Sequence, residues 1–249
     1  MNLAPELQRR PPLLVPPLRW SSPPKAIVEP GTNPGQKVFG HASAEVVNLL
    51  GLMASRRKIR HGALLYREHD RFEFLYAVHS GSFKSTLSLA DGCQQVNNFY
   101  LAGEVLGLDG VADGRHASGA FALEDSVVSM VSSAEINDMS AGVASVHPTV
   151  VRLISREIVR GNCHMVMLGS LNSAQRLAAF LLSHSESLQA RGYSPLEFHL
   201  KMTRSDIGSF LGLTLETVSR MFSELQQQRL LKVERRHIVI ADLDGLSRV

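Results

Sequence analysis

The sequence predicts an α+β chain in which short β-strands are followed by a helical C-terminal half. Between residues 63 and 131, apolar runs are separated by glycine and other turn residues, such as Ala90-Asp91-Gly92. From residue 151 onward, apolar residues recur every three or four positions, which is the period of an α-helix. This change of period divides the chain near residue 145.

The first part is expected to be a β sandwich or jelly roll, because its strands are short, numerous and closely spaced. The alternation expected of a strand is taken from the run Phe74-Leu75-Tyr76-Ala77-Val78. The expected strands are residues 63–67, 72–79, 82–89, 94–100, 120–123 and 126–131. A short helix is expected before them, from Ala44 to Arg57.

The sequence predicts four regions in all. Residues 1–40 hold nine of the eleven prolines and are expected to form an extended, mobile tail. Residues 41–145 form the sandwich, residues 146–172 a long helix, and residues 173–249 a separate C-terminal domain.

Residues 202–231 predict two short helices joined by a tight turn. Thr203 can cap the first helix, with Asp206 three residues later as in a capping box. Gly212 suits the positive φ that ends a helix, and Thr214 can cap the next one. Such a helical pair can present a few polar side chains to the major groove of DNA.

The second helix is expected to have one apolar face and one polar face. Its inward face would be Leu215, Val218, Phe222 or Met221, and Leu225, which leaves Glu216, Thr217, Ser219, Arg220 and Ser223 outside. Arg can donate two hydrogen bonds to guanine, and Glu can accept one from the cytosine amino group. The alternative is a generic helical hairpin with an exposed Glu216–Arg220 ion pair.

Two further short strands are expected at Leu230–Val233 and His237–Ile240, around a basic turn. They would form a β wing whose tip can contact phosphate. The residues expected to contact the DNA backbone are Thr203, Arg204, Thr214, Thr217, Arg235 and Arg236.

The segment TRSDIGSFLGLTLETVSR resembles the winged helix-turn-helix of the CRP–FNR family of bacterial transcription regulators. The E-x-x-S-R triplet typical of the FNR branch falls on Glu216, Ser219 and Arg220. The resemblance continues upstream through QRLAAFLL and FLYAVHSGSFKS, and covers about residues 45–243. It implies a cyclic-nucleotide-binding-like jelly roll, a long dimerisation helix and a C-terminal winged helix-turn-helix.

The resemblance also implies a target near TTGAT-N4-ATCAA. Arg220 would read guanine, Glu216 the opposite-strand cytosine, and Ser219 a neighbouring A·T pair. An activator would contact RNA polymerase through sandwich loops, for which Asp91–Gln95 and Gly114–Ser118 are candidates. Repression by site occlusion is equally compatible with the sequence.

A homodimer is expected because one helix-turn-helix reads few bases, whereas a two-fold dimer reads a palindrome. The long helix supplies a coiled-coil-like seam of apolar and small residues spaced alternately by three and four. These are Val151, Ile154, Ile158, Gly161, Met165 and Leu168. The alternative is that this stripe packs on the helix's own sandwich.

No cofactor is expected. In the cAMP-binding branch a Gly-Glu pair holds the ribose and an Arg-Ser pair the phosphate; here Gly107-Leu108 and Ser118-Gly119 occupy those positions, with Arg115 three residues away. The oxygen-sensing FNR branch holds an iron–sulfur cluster with four cysteines. This chain has only Cys93 and Cys163, and Ser129 falls at the fourth ligand position, so it cannot supply that set.

The rival hypothesis is a small-ligand sensor whose jelly roll gates DNA binding. Its ligand would be a nucleotide or haem, although no spacing selects among His79, His116 and His164 as haem ligands. An enzyme is disfavoured, since the sequence has no nucleophile elbow, phosphate loop, paired-carboxylate motif or metal-binding spacing.

Cysteine usage and hydropathy predict a cytoplasmic protein without membrane insertion. Two cysteines 70 residues apart do not form a disulfide framework, and there is no apolar run of 18 residues. Cys93 is expected to be an exposed thiol, either inert or redox-active, and Cys163 a small packing residue.

Overall fold

The computed structural model describes residues 55–134 and 146–249, with side chains from residue 150 onward in the second range. The expected tail and residues 44–54 of the expected helix lie outside these ranges. The prediction of helix for residues 55–57 is wrong, because they belong to strand β1, Ser55–Ile59. This edge strand is exposed except for Ile59, so its polar sequence carries no apolar alternation that would have indicated a strand.

Two four-stranded antiparallel sheets form the sandwich, with strand orders β1-β8-β3-β6 and β2-β7-β4-β5. Each of the six expected runs contains a strand, and β1 and β6 are additional. After β1 the strands are β2 Leu64–Tyr66, β3 Phe74–Ser80, β4 Ser82–Ser88, β5 Gln94–Leu101, β6 Val105–Leu106, β7 Gly119–Ala122 and β8 Ser126–Ser132. The sheets enclose an apolar core that includes Val78, Phe83, Leu106 and Val128.

The β3–β4 turn requires glycine. Gly81 has φ 90°, and a Cβ there would lie 2.1 Å from Ser126 Oγ. Because no other residue fits this backbone, the turn is fixed tightly against the first residue of β8.

Two consecutive helices follow the sandwich. Helix α1 is Val146–Ser170 and α2 is Ser173–Gln189, the latter starting at a capping box between Asn172 and Gln175. Arg176 joins them by donating to the carbonyls of Leu168 at 2.6 Å and Leu171 at 2.9 Å. The charged donor satisfies carbonyls that the end of α1 leaves without helical partners.

The C-terminal domain places two short helices beside a three-stranded antiparallel sheet of order β10-β11-β9. Its elements are β9 Glu197–His199, α3 Arg204–Leu211, α4 Leu215–Gln227, β10 Leu231–Glu234, β11 His237–Ile240 and α5 Leu243–Ser247. The two expected wing strands are present, and β9 and α5 are additional.

One apolar cluster runs through both the sandwich and the C-terminal domain. The Phe99 ring of β5 lies 6.0 Å from the Phe180 ring of α2 and 5.1 Å from the Phe210 ring of α3, between centroids. Val96 and Leu101 of the same strand belong to this cluster as well. The helix-turn-helix is therefore packed directly on β5.

In the described ranges, no helix combines the length and hydropathy needed to cross a membrane.

Candidate nucleic-acid interface

The expected capping box at the start of α3 is present. The Thr203 hydroxyl accepts from Asp206 N–H at 3.0 Å, and the Asp206 carboxylate accepts from Thr203 N–H at 2.9 Å and from its hydroxyl at 2.6 Å. Burial alone would raise the pKa of Asp206, but hydrogen bonds from Lys84 and Thr203 outweigh it and lower the pKa. Asp206 is therefore an ionised cap.

The turn between the two helices depends on two glycines. Gly212 ends α3 at φ 64°, as expected from the sequence. A Cβ at Gly208 would lie 2.7 Å from the Leu213 carbonyl oxygen, so only hydrogen fits where the turn crosses α3. Thr214 then caps α4 by accepting from Thr217 N–H at 3.2 Å.

Helix α4 buries a narrower face than its sequence predicts. Val218, Phe222 and Leu225 are buried and Met221 is partly buried. The prediction for Leu215 is wrong, because this side chain is 47% exposed. The first turn projects past the packed helices, since Thr214, Leu215 and Glu216 are all exposed. Leu215 therefore lies on the same open end of α4 as Glu216.

The proposed base-reading residues Glu216, Ser219 and Arg220 are all exposed on α4. In the described part of the chain, Glu216 and Arg220 make no ion pair with each other, so nothing favours the alternative of a mutually paired hairpin. Hydrogen bonds from its own backbone N–H and from the Thr214 hydroxyl lower the pKa of Glu216. The helix end thus presents an ionised acceptor and, one turn later, a guanidinium donor.

Five of the six residues expected to contact the DNA backbone lie at the protein surface. Thr203, Thr214, Arg235 and Arg236 are exposed, and Thr217 is partly exposed. The two arginines form the turn between β10 and β11, where Arg235 has φ 57°. The wing tip is therefore basic and open to solvent.

Arg204 differs from the other five. Its guanidinium carbon lies 3.2 Å from the centroid of the Phe222 ring, and Nη2 donates to the Arg235 carbonyl at 3.2 Å. Burial lowers the pKa of Arg204 to about 10. The side chain thus connects α3 to α4 and to the wing turn.

The outer face of α1 is apolar. Val151, Ile158 and Met165 are 47%, 58% and 65% exposed. Of the other seam residues, Gly161 is exposed and Ile154 and Leu168 are partly buried. Val159 and Val166, which lie outside the predicted seam, are also exposed. In contrast, Met167 on the inner face is fully buried.

A cavity of about 540 Å³ lies between α1 and the sandwich. The residues Leu108 and Ser118, expected at a nucleotide site by resemblance, line it together with the carboxylates of Asp109 and Glu157. Ser118 donates to Asp109 through its N–H at 2.9 Å and its hydroxyl at 2.7 Å. Arg115 is not among the lining residues and donates to the His69 carbonyl at 2.9 Å.

Arg160 is the arginine that lines this cavity, and its guanidinium is already bound by groups of the protein. It lies 3.1 Å from Glu157 and donates to the Phe99 carbonyl at 2.6 Å. Burial raises the pKa of Glu157 despite this neighbour. The cavity is therefore lined by more carboxylates than guanidinium groups, which disfavours a bound phosphate.

The described residues contain no cluster of three or more His, Cys, Asp or Glu side chains suited to a metal ion. Cys93 is exposed beside the β4–β5 hairpin and Cys163 is partly buried on α1. Ser129 is buried on β8. The His116 ring stacks on Tyr66 at 3.8 Å, and His164 Nε2 lies 2.8 Å from the Phe210 carbonyl oxygen.

Comparison with known proteins gives matches over both parts of the chain. Residues 175–249 match the Crp-like helix-turn-helix domain, and residues 56–142 match the cyclic nucleotide-binding domain. The transcriptional regulatory protein Btr of Bordetella pertussis is 41% identical over 210 residues, which are 84% of this chain and 87% of Btr.

Two further relatives belong to the same group. The fumarate and nitrate reduction regulatory protein of Escherichia coli is 36% identical over 205 residues, covering 82% of each chain. The structure of FixK2 from Bradyrhizobium japonicum superimposes with a TM-score of 0.73 at 31% identity, covering 79% of this chain and 96% of FixK2. The jelly roll, long helix and winged helix-turn-helix, together with these relatives, show that the chain belongs to the FNR/FixK branch of the CRP–FNR family of DNA-binding transcription regulators.

Proposed function

We propose that the protein regulates transcription as a homodimer bound to a palindrome near TTGAT-N4-ATCAA. The observation that carries this proposal is the exposed triplet Glu216, Ser219 and Arg220 on one end of α4. A guanidinium and a carboxylate at this spacing match the edges of a G·C pair in the major groove. Ser219, one residue before Arg220, contacts a neighbouring A·T pair.

Leu215 adds an apolar contact to the same surface. Its exposed side chain lies next to Glu216, where the methyl group of thymine offers an apolar partner in the major groove. Phosphate contacts come from the two helix caps and from the wing tip. Five residues supply these contacts directly: Thr203, Thr214, Thr217, Arg235 and Arg236. Arg204 both approaches the DNA backbone and holds the wing in place.

The homodimer forms along the outer face of α1. Exposed Val151, Ile158 and Met165 are seven residues apart, so they repeat on one side of the helix. Burying this stripe against a second copy removes apolar surface from water. The dimer axis then relates two α4 helices and gives the palindrome its two-fold symmetry.

Activation through RNA polymerase is the favoured outcome of binding. Asp91, Gly92 and Cys93 at the tip of the β4–β5 hairpin are exposed, as are Gly114 and Arg115 in the second candidate loop. Gln95 instead donates to the Ser209 carbonyl, so the base of the hairpin contacts α3. Within this hairpin, the polymerase contact is therefore assigned to the tip and not to the base.

Fluorescence anisotropy with labelled duplexes tests the DNA target. The protein should bind TTGAT-N4-ATCAA at least about 1,000-fold more tightly than a scrambled duplex of equal length and salt. Equal affinity for both duplexes would refute sequence-specific reading. Adding the protein to RNA polymerase and a promoter that carries the site should raise transcript yield, while a lowered yield would indicate repression.

DNA recognition is proposed to be independent of cAMP and of a bound metal cofactor. Asp109 and Glu157 line the cavity at which a nucleotide phosphate would otherwise be placed. Adding cAMP should leave both the melting temperature and the DNA affinity unchanged. A concentration-dependent rise in the melting temperature would favour the small-ligand sensor, because a ligand that binds the folded state stabilises it.

A further inference from the structure

A buried carboxylate, Glu104, joins three parts of the molecule. It lies in the turn between β5 and β6, and its side chain is 5% exposed. Oε1 lies 2.6 Å from Nη2 of Arg191, which follows α2, and Oε2 lies 3.4 Å from Nη1 of Arg160 on α1. The two oxygens of one sandwich residue thus bind the long helix and the DNA-binding domain.

The two guanidinium groups are also held by the backbone next to Glu104. Arg191 donates to the Ala102 carbonyl at 2.7 Å, and Arg160 donates to the Phe99 carbonyl at 2.6 Å. Arg191 also donates to the carbonyl of Ser187 on α2, at 2.7 Å. Planar guanidinium groups bound at several points permit little rotation, so this cluster defines an angle as well as a distance.

The covalent connection between α1 and α2 is only two residues, Leu171 and Asn172. The orientation of the reading helix relative to α1 therefore depends on the contacts that the C-terminal domain makes with the sandwich and with α1 itself, such as His164 Nε2 at 2.8 Å from the Phe210 carbonyl oxygen. Besides Glu104, these include Lys84 Nζ to Asp206 at 2.5 Å and Val96 N–H to the Ser209 hydroxyl at 2.8 Å. The Glu104 cluster also includes α1, as does the Phe210 ring, which lies 5.1 Å from Phe99 and 4.1 Å from the His164 ring of α1, between centroids.

We propose that Glu104 is a positioning residue that sets the half-site spacing accepted by the dimer. The inference rests on the proposed function, because spacing has meaning only for a palindrome read by two subunits. Base identity is read by the exposed face of α4, whereas spacing follows from the angle between α4 and the helix that carries the seam. Glu104 belongs to neither surface and helps to fix the angle between them.

The ion pairs of Glu104 fix a geometry more than they add stability. Buried ion pairs contribute little net stability, because desolvation offsets their attraction, but they can favour one arrangement over its alternatives. Replacing Glu104 by Gln keeps the size and removes the charge, so both guanidinium groups lose a fixed partner. The domain can then adopt neighbouring orientations that the wild-type protein excludes.

The test compares palindromes that differ only in spacer length, with two base pairs removed or added about the preferred N4. For wild-type protein the ratio of affinities between N4 and the altered spacers is large. In Glu104→Gln this ratio should fall by about tenfold, as for the loss of one buried coupled contact. Discrimination against a guanine substitution within the half-site should stay unchanged.

Arg220→Ala is the matched control with the opposite pattern. It should lose base discrimination and keep the spacer ratio, because its side chain is exposed on α4 and takes no part in the contacts described for the Glu104 cluster. In the double variant Glu104→Gln with Arg191→Gln, no buried guanidinium is left at position 191 without its carboxylate. A folding defect caused by that unpaired charge is therefore avoided. The double variant should also accept altered spacers.

Separate outcomes refute the inference and the proposed function. If wild-type protein prefers N4 and both Glu104 variants keep that preference while folded and dimeric, the inference is wrong. If wild-type protein fails to distinguish the palindrome from a scrambled duplex, the proposed function fails, and the inference fails with it. Equal losses of spacer and base discrimination in Glu104→Gln would assign Glu104 a general structural role.

Discussion

The residues around α4 divide into those that build the helix-turn-helix and those that face outward. Thr203, Gly212 and Thr214 could be assigned from the sequence, because caps and positive φ depend on neighbouring residues alone. Leu215 and Arg204 could not. The exposure of Leu215 and the stacking of Arg204 on Phe222 depend on where neighbouring elements end.

Replacing Arg220 by Ala should remove recognition of one base per half-site. The expected cost is about 1–3 kcal/mol of discrimination at a single guanine, because a bidentate pair is lost. Anisotropy titrations with all four bases at that position measure this value. Arg236→Ala on the wing is the control, and it should weaken binding to all sequences alike. A uniform loss for Arg220→Ala would mean that it contacts only phosphate.

His184 should make stability depend on pH. Burial lowers the pKa of this side chain to about 3, whereas an unfolded histidine titrates near about 6.5. As the pH falls below about 6.5, the unfolded chain therefore binds the proton first, and the folded state is destabilised. The loss approaches about 1.4 kcal/mol per pH unit between these two values.

Urea unfolding at neutral and mildly acidic pH measures this effect in wild-type protein and in His184→Gln. The free energy of unfolding should fall more steeply with acidification in the wild-type protein than in the variant. Parallel pH dependence in the two proteins would show that His184 is not the titrating group. The variant keeps all other carboxylates and histidines, so it controls for their contribution to the pH dependence.

Among the elements, α1 has one face that is buried in the protein and another that exposes apolar side chains. Met167 and Arg160 face inward and are buried, while Ile158 and Met165 face outward and are exposed. The spacing of apolar residues predicted a seam, because heptad periodicity is visible in a single sequence. It did not distinguish Val159 and Val166, whose exposure becomes evident only when the inner face is known.

A charge at Ile158 should prevent pairing of two copies. Ile158→Glu places a carboxylate in the centre of the exposed stripe, where burial against a second helix would desolvate it. Light scattering should report a shift from the dimer toward the monomer mass. Val159→Glu is the matched control, since it makes the same change about 100° around the helix. Dissociation by the control alone would place the seam on the other face.

The strands illustrate what local pattern cannot provide. The six short runs divided by turn residues all contain strands, whereas β1, β6 and β9 were missed. β1 is mostly exposed, and β6 and β9 contain only two and three residues. Such segments become strands because a partner is present, as Val105 is paired with Ala77 and Phe198 with Ile238. Pairing partners distant in sequence leave no local periodicity.

At the scale of the whole molecule, the sandwich and the DNA-binding domain share one apolar cluster. The sequence correctly predicted both folds but treated them as separate cores. Phe99 joins them through Phe180 and Phe210, and these residues lie on three different elements. Nothing in the local pattern of any one element indicates which aromatic residue will pack across the boundary.

Protein prepared without oxygen should contain no stoichiometric iron. Two cysteines cannot supply four thiolate ligands, and serine occupies position 129. Metal analysis and a visible absorption spectrum of the as-isolated protein test this expectation. DNA affinity should be the same with and without oxygen. A cluster absorbance with matching iron would show that other ligands are used.

The absence of space at Gly208 has a genetic consequence. A methyl group there meets the Leu213 carbonyl oxygen at 2.7 Å, so Gly208→Ala would push α4 away from α3. Gly208 is a buried residue of α3 and not part of the seam, so in the proposed homodimer the altered subunit would still pair. In a cell that also makes the normal protein, mixed pairs would carry one misdirected reader. We therefore expect this allele to be dominant over the normal gene.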